Sequence, residues 1–112
     1  MAKGDYLGEF EQIVMLAVLR LEEDAYGMEV RREIEGRTGR DASIGAVYAT
    51  LDRLETKGLV RCREIVPHGD KARPRRLYKV TADGARSLDQ AISALARMRE
   101  GLRLRPGNME EA

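Results

Sequence analysis

The stretch Ser43-Ile44-Gly45-Ala46-Val47-Tyr48-Ala49-Thr50-Leu51-Asp52-Arg53-Leu54 decides how this chain of 112 residues folds. Ser43 offers a side-chain oxygen to the free amides of a helix predicted from residue 44 to about residue 57, and Gly58 follows as a helix-ending glycine. On a helical wheel one face is apolar, with Val47, Leu51 and Leu54 at its centre and Ile44 and Thr50 at its edges. The opposite face is small or polar and carries Gly45, Ala46, Ala49, Asp52, Arg53 and Thr56. We therefore predict a helix that buries one face and presents a slim polar face to a partner.

Two helices are predicted before this segment. Apolar residues recur at spacings of three and four over residues 5–21, which indicates a first helix that is apolar around most of its circumference. Such a helix favours burial on two sides, against its own core and against a partner subunit. The acidic run at residues 22–24 is interpreted as a solvated loop rather than a metal site. Tyr26-Gly27 opens a second helix, which residues 36–39 end.

Two strands and a fourth helix are predicted after it. The runs at residues 59–66 and 77–80 are typical of an antiparallel strand pair. The segment between them, residues 67–76, contains two prolines, one glycine and four strong cations, and it is expected to form a mobile basic hairpin tip. Thr81 caps a last helix that runs to about residue 100.

A dimer seam is predicted on the last helix. Its apolar residues follow a 3-4-3 spacing, which suits contact with another helix but is too short for an independent coiled coil. The predicted dimerisation residues, including two from the first helix, are Phe10, Val14, Ala85, Leu88, Ile92 and Leu95.

The order of elements predicts a fold that is mainly α-helical with a small two-stranded wing. Helices two and three form a helix-turn-helix, and the strand pair is the wing. We expect one winged helix-turn-helix domain at residues 1–80, a C-terminal dimerisation helix at residues 81–102 and a flexible tail at residues 103–112.

The positive charge of the chain is concentrated in one segment. The formal net charge is only +1, but residues 61–79 carry seven Lys or Arg against two Asp or Glu, whereas residues 1–60 are net acidic. A local cationic segment on an otherwise acidic or neutral protein predicts contact with a polyanion at that place.

The slim helix and the basic wing together predict binding to double-stranded DNA. A major groove about 12 Å wide admits a helix whose outer side chains are short, as at Ser43, Gly45, Ala46 and Ala49. Tyr48 and Arg53 are long enough to reach phosphates. The wing would add sequence-independent affinity, with His68 contributing when protonated. The predicted wing contacts are Lys71, Arg73, Arg75 and Arg76.

Each of these residues also has a plainer interpretation. Tyr48 could merely cover the edge of the core, and the wing cations could form a solvated loop. His68 and Cys62 are too few to make a zinc site, and Cys62 is expected to be a small strand residue. No catalytic arrangement or glycine-rich phosphate loop is recognisable, so no enzyme activity and no cofactor are expected.

No apolar run is long enough to predict a membrane span, and the N-terminus lacks the features of a secretory signal. A single cysteine cannot form an internal disulfide, which agrees with a reducing compartment. We therefore expect a cytoplasmic protein.

Four segments together resemble the PadR family of transcriptional regulators. They are the residues 16–21, Tyr26-Gly27-Met28-Glu29-Val30, the run from Gly45 to Glu55 with Lys57-Gly58-Leu59-Val60, and Arg75-Arg76-Leu77-Tyr78-Lys79-Val80-Thr81 leading through Gly84. The resemblance covers roughly residues 7–100. It implies a winged helix, a homodimer built from the C-terminal helix with help from the first helix, and a palindromic operator. The single C-terminal helix is similar to that of the short members of the family.

The resemblance also implies a possible small aromatic effector. Some short members hold flat aromatic compounds at the dimer interface, often by stacking on tryptophan, and this chain has no Trp. Phe10, Met15 or the last helix would have to line such a site here. The alternatives to a DNA-binding repressor are a winged helix that binds RNA and one that binds only protein. RNA recognition commonly uses exposed aromatics, which are scarce in this chain.

Overall fold

The computed structural model describes residues 6–66 and 74–108, and in that part of the chain four helices surround one strand pair. The first three helices are α1 (Glu9–Leu21), α2 (Gly27–Thr38) and α3 (Ile44–Thr56). The strands β1 (Val60–Ile65) and β2 (Arg75–Val80) follow, and then the helix α4 (Ala82–Arg99). Short 3-10 turns occupy Glu22–Asp24 and Pro106–Asn108. The predicted class, mainly helical with a two-stranded wing, is confirmed.

Local capping fixes where the first helix begins. The side chain of Glu11 turns back and accepts a hydrogen bond of 2.9 Å from the backbone N–H of Gly8, so α1 begins at Glu9. The predicted start at residue 5 lies outside the described residues, and Tyr6 to Gly8 precede the helix. The acidic run after α1 forms a 3-10 turn, with Glu22 at a positive φ of 51°.

The predicted signals around α2 and α3 have their expected geometry. Gly39 ends α2 in the left-handed region, at φ 71°, and its N–H donates to the Glu35 carbonyl oxygen. The Ser43 hydroxyl accepts a hydrogen bond of 3.0 Å from the Ala46 N–H, as expected for an N-cap. Gly58 follows α3 at φ 75°. Helices α2 and α3 are thus joined by a short turn, which makes them a helix-turn-helix.

The core lies between α1, the helix-turn-helix and the inner face of the wing. Each helix contributes its apolar stripe, and the wing contributes Tyr78, which is fully buried. The main core residues of the helices are Val14, Met15, Val18, Val30, Ile34, Val47, Leu51 and Leu54.

The strands pair antiparallel with Cys62 opposite Tyr78 and Glu64 opposite Arg76. A bridge between Tyr26 and Leu77 adds the start of α2 to the edge of β2. The predicted hairpin tip was too long at its C-terminal end, because Arg75 and Arg76 lie inside β2. The ladder extends through both arginines since each has a partner on β1, Ile65 and Glu64 respectively.

The last helix is anchored at its beginning. The Thr81 hydroxyl accepts a hydrogen bond from the Gly84 N–H and donates one to the Gly58 carbonyl oxygen, which joins α4 to the end of α3. Leu88 packs into the core, whereas residues 94–99 are exposed along their whole length. The distal half of α4 therefore carries apolar side chains in solvent.

Two predicted dimerisation residues belong instead to the core of their own protomer. Val14 is 0% exposed and Leu88 is 3% exposed, so neither presents its side chain to a partner. Met15, a predicted effector contact, is also fully buried. Periodicity marks which residues are apolar, but it does not tell which apolar residues the protomer covers itself.

Candidate nucleic-acid interface

The outer surface of α3 is built from small exposed residues. Ser43, Gly45, Ala46 and Ala49 are all exposed, whereas Val47, one position from Ala46, is completely buried. Arg53 is exposed as well, and its guanidinium donates a 3.1 Å hydrogen bond to the Thr50 hydroxyl. The two faces of α3 are thus arranged as the helical wheel predicts, and the slim face is open to solvent.

Tyr48 lies across the contact between α3 and α2. Its side chain is half-buried, and a Cβ placed on Gly27 would overlap its ring carbon Cζ and its hydroxyl. The tyrosine therefore covers the edge of the core and at the same time brings its hydroxyl to the first turn of α2. This arrangement is compatible with both interpretations of Tyr48 from the sequence, as a phosphate contact and as a residue that covers the edge of the core.

Arg75 adds a positive charge beside the same helix end. Its guanidinium carbon lies 3.8 Å from the centroid of the Tyr26 ring, which is a cation–π contact. Tyr26 is the N-cap of α2 but gives no side-chain hydrogen bond to the first amides of that helix. We call the group formed by Tyr26, Gly27, Tyr48 and Arg75 the α2 corner. It combines backbone N–H groups, a hydroxyl and a guanidinium, all of which can donate to a phosphate oxygen.

Arg76 points to the other side of the wing, towards α3. Its guanidinium lies 3.6 Å from a carboxylate oxygen of Asp52. Beside it the hydroxyl of Tyr78 is buried and has no hydrogen-bond partner among the described residues. Burial raises the pKa of Tyr78 to about 12, with the positive charge of Arg76 acting in the opposite direction. Arg76 therefore lies on the sheet face that is turned towards α3, whereas Arg75 lies on the opposite face.

Cys62 occupies the same inner face of the wing. It is half-buried, and burial together with the charge of Glu55 raises the pKa of its thiol. The sequence prediction of a small strand residue agrees with this position.

Three predicted wing residues cannot be placed. His68, Lys71 and Arg73 lie in residues 67–73, outside the described part of the chain. Their contribution to an interface stays a prediction.

Three further cations of the wing lie outside the predicted set of DNA contacts. Arg61 and Arg63 on β1 and Lys79 on β2 are exposed and lie on the strand face opposite to Tyr78. The signal was present, because alternate residues of a strand share one face. To place Lys79 of β2 beside Arg61 and Arg63 of β1, however, the register of the two strands must be known, and the sequence alone does not specify it.

The exposed part of α4 carries the rest of the predicted dimer seam. Ile92 is 40% exposed and Leu95 is 63% exposed, and Met98 continues the apolar surface. Ala85 is exposed, and Phe10 on α1 is half-buried under Arg40, whose guanidinium carbon lies 5.4 Å from the ring centroid. Leu16 and Leu19 on α1 are exposed apolar residues that the prediction omitted.

Residues 6–66 and 74–108 hold no group of three or more His, Cys, Asp or Glu placed to bind a metal ion. Within the same ranges no helix is both long and apolar enough to cross a membrane.

A helix-turn-helix with a two-stranded wing beside it defines the class of winged-helix proteins. A family model described as the transcriptional regulator PadR-like family matches residues 15–90. The chain belongs to this family, whose members are DNA-binding transcriptional regulators, and the matched structural neighbours are regulators rather than enzymes.

Individual relatives and solved structures are also similar to this chain. A protein of Lysinibacillus sphaericus that bears only the name uncharacterized protein X is 30% identical over 104 residues, which is 89% of this chain and 91% of that protein. A PadR-like transcription factor from Bacteroides fragilis has the same fold, with a TM-score of 0.68 at 23% identity over 81% of this chain and 84% of that one. A PadR family transcriptional regulator from Eggerthella lenta DSM 2243 gives a TM-score of 0.64 at 26% identity over 83% of this chain and 81% of that one.

Proposed function

We propose that this regulator is a cytoplasmic, sequence-specific repressor that binds a palindromic operator as a homodimer. The observation that carries the proposal is the slim, exposed face of α3 beside a donor-rich α2 corner. The repression mechanism is steric, since a dimer seated in the operator occupies the DNA that a promoter needs.

Specificity is assigned to the outer face of α3. Gly45, Ala46 and Ala49 leave the backbone close to the groove, so that Ser43 and Arg53 at the two ends of this face can approach base edges or phosphates. Long side chains at the three small positions would hold the helix away from the bases.

Orientation on the duplex is assigned to the α2 corner. The Tyr48 hydroxyl lies against Gly27 in the first turn of α2, and the Arg75 guanidinium lies over the ring of Tyr26, the N-cap residue of the same helix. Both side chains therefore lie at the N-terminus of α2. A phosphate there would receive charge-assisted hydrogen bonds and would fix how far α3 enters the groove. The Arg76 guanidinium lies 3.6 Å from a carboxylate oxygen of Asp52 on α3, and its predicted phosphate contact stays a prediction.

The homodimer is supported by apolar surface that the protomer does not cover. Ile92, Leu95 and Met98 lie exposed on α4, and Leu16 and Leu19 lie exposed on α1. Burial of such side chains against a second copy is favourable by about 25 cal/mol per Å² of apolar area. A symmetric dimer would place two α3 helices in successive major grooves about one helical turn apart.

Selection of bound duplexes from a random DNA pool tests the proposal. We expect recovery of an inverted repeat whose half-sites are separated by about one helical turn. A matched pair of variants extends the test: Ala46→Glu, on the outer face of α3, should abolish enrichment, whereas Gln90→Glu, on the exposed back of α4, should leave it unchanged. Recovery of no motif, or equal enrichment by both variants, would overturn the assignment of α3 as the reading helix.

A further inference from the structure

Asp52 places a carboxylate on the slim outer face of α3. It follows Ala49 by three residues and Gly45 by seven, so the three residues lie on one stripe of the helix. The Asp52 side chain is 59% exposed. Because the proposed function sets this stripe against the floor of a major groove, Asp52 is an acidic group on a surface that would face a polyanion.

The folded domain gains little from this carboxylate. The guanidinium of Arg76 lies 3.6 Å away, and ion pairs between half-exposed side chains contribute little to stability. Alanine at this position would favour the helix more than aspartate does. Within residues 6–66 and 74–108 the Asp52 carboxylate accepts no hydrogen bond, so its oxygens are free to accept one from a partner.

A phosphate is the wrong partner for a carboxylate, because two negative charges repel each other. The positive charge of Arg76 offsets part of this repulsion and lets the helix approach the duplex. Once α3 lies in the groove, the groups that can donate a hydrogen bond to Asp52 are the amino groups on the base edges.

Two bases present an amino group in the major groove, cytosine through N4 and adenine through N6. In adenine the acceptor N7 lies beside the amino group and would repel a carboxylate oxygen. Cytosine has no acceptor on its own major-groove edge, so it suits a carboxylate better. The side chain of Asp52 is short, but Gly45 and Ala49 on the same stripe allow the helix backbone to come close to the bases.

We propose that Asp52 is a specificity-determining residue that accepts a hydrogen bond from the amino group of a cytosine in each operator half-site. This inference rests on the proposed function, since it takes α3 to be seated in the major groove. It gives the outer face of α3 a preference for one base pair. Gly45, Ala46 and Ala49 cannot supply that preference by hydrogen bonding, because their side chains carry no polar group.

The test is selection of bound duplexes from a random DNA pool by the wild type and by two variants, Asp52→Asn and Asp52→Ala. We expect the wild type to recover a cytosine at one position of each half-site. Asp52→Asn should change that base to adenine, because a carboxamide can pair with both N6 and N7 of adenine. Asp52→Ala should recover no preferred base there, and the rest of the motif should be unchanged in both variants.

Titration of single operators measures the size of the effect. Operators that differ only at this position should be discriminated by the wild type roughly tenfold in favour of cytosine. Asp52→Ala should bind all four operators with nearly equal affinity.

Asp83 provides the matched control. It is an exposed aspartate in the first turn of α4, so Asp83→Asn and Asp83→Ala make the same changes in charge away from α3. Both control variants should recover the wild-type motif. Thermal unfolding of all four variants checks that each one is folded.

Three outcomes would overturn the inference. The first is an unchanged motif in both Asp52 variants. The second is an unchanged motif with tighter binding to every duplex, as expected if the carboxylate only repels phosphates. The third is a change confined to a position that the wild type fills with an A·T pair. Recovery of no motif by the wild type would instead reject the proposed function.

Discussion

Glu11 shows how a single buried carboxylate organises several elements at once. Its side chain accepts a hydrogen bond from the Gly8 N–H and lies 2.9 Å from the ammonium of Lys57, at the end of α3. Burial acts to raise its pKa, but the Gly8 hydrogen bond and the Lys57 charge outweigh burial, and the pKa falls below the usual value of 4.5. The charged form therefore stabilises the folded state.

The Glu11→Gln variant should lose this pH-dependent stabilisation. A carboxyl whose folded pKa is depressed contributes stability above its unfolded pKa, and the contribution disappears as the pH falls through the folded pKa. We expect the variant to be less stable than the wild type by about 1–2 kcal/mol at pH 7, with the difference shrinking as the pH falls below 4.5. Urea unfolding at a series of pH values measures it.

Glu9 provides the control for this measurement. Its carboxylate pairs with Arg40 at 2.6 Å but is 76% exposed, so Glu9→Gln should change the stability by less than about 1 kcal/mol. A stability difference for Glu11→Gln that does not depend on pH would contradict the role assigned to its charge.

Gly27 is the residue that lets Tyr48 reach the first turn of α2. The Gly27→Ala variant should displace the Tyr48 ring, since a Cβ would overlap Cζ and the hydroxyl, the far end of a rotatable side chain. We expect DNA binding to weaken roughly fivefold, which corresponds to the loss of about 1 kcal/mol from one hydrogen bond. Tyr48→Phe should weaken binding similarly, and fluorescence titration with a labelled duplex measures both.

Gly36 offers a matched control in the same helix. A Cβ there meets nothing within 4 Å, so Gly36→Ala should stabilise the fold by about 0.5–1 kcal/mol and leave DNA affinity unchanged. Wild-type affinity in both the Gly27 and Tyr48 variants would remove Tyr48 from the interface.

At the scale of elements, the junction of α4 with the rest of the domain depends on a close backbone approach. A Cβ on Gly84 would overlap the carbonyl oxygen of Leu59, and Leu59 cannot move aside because that oxygen accepts the Thr81 N–H at 3.0 Å. Position 84 therefore requires glycine because there is no room for a Cβ, although its φ does not lie in the left-handed region. The same junction receives the Thr81 hydroxyl, so α3, the wing and α4 meet at one place.

The Gly84→Ala variant should destabilise the protein by about 1–3 kcal/mol, the usual cost of overpacking, although alanine favours helices. Thermal unfolding followed by circular dichroism measures the change. Gly36→Ala again serves as the control, because it makes the same substitution in an open helix position. Equal stability of the two variants would show that α4 docks differently.

Capping residues in the sequence predicted the helices well, whereas the strands of the wing were predicted less completely. Ser43, Gly39 and Thr81 cap their helices as predicted, since a cap depends only on residues within one turn. The extent of β2 was underestimated because a basic composition suggested a loop. Pairing with β1, a contact distant in sequence, makes Arg75 and Arg76 part of the strand.

At the scale of the molecule, the exposed apolar stripe of α4, which includes Ile92 and Leu95, is the proposed dimerisation surface. Replacing Ile92 and Leu95 with Glu should give monomers, because two charges would have to be buried in the proposed interface. Sedimentation at micromolar concentration measures the mass of the particle. The affinity for the operator should also fall, because a monomer contacts only one half-site. Leu88 is unsuitable for this test, since its burial in the protomer means that a charge there would unfold the domain.

The control for assembly is Gln90→Glu with Ala94→Glu. This pair adds the same charge on the exposed back of α4 and should leave the mass of a dimer unchanged. A dimer that persists in the Ile92 and Leu95 variant would place the interface elsewhere on the protein.

The sequence by itself determined the order of the elements, the ends of the helices other than the start of α1, and the two faces of α3. Periodicity and capping depend only on residues that are close together in the sequence, so they can be recognised within one segment of the chain. Only the tertiary structure decided that Val14 and Leu88 serve the core, that Arg75 rests on Tyr26 and that Arg76 faces Asp52. These outcomes depend on strand register and on packing between distant residues, so the direction in which each arginine points is set by the fold and not by its neighbours in sequence.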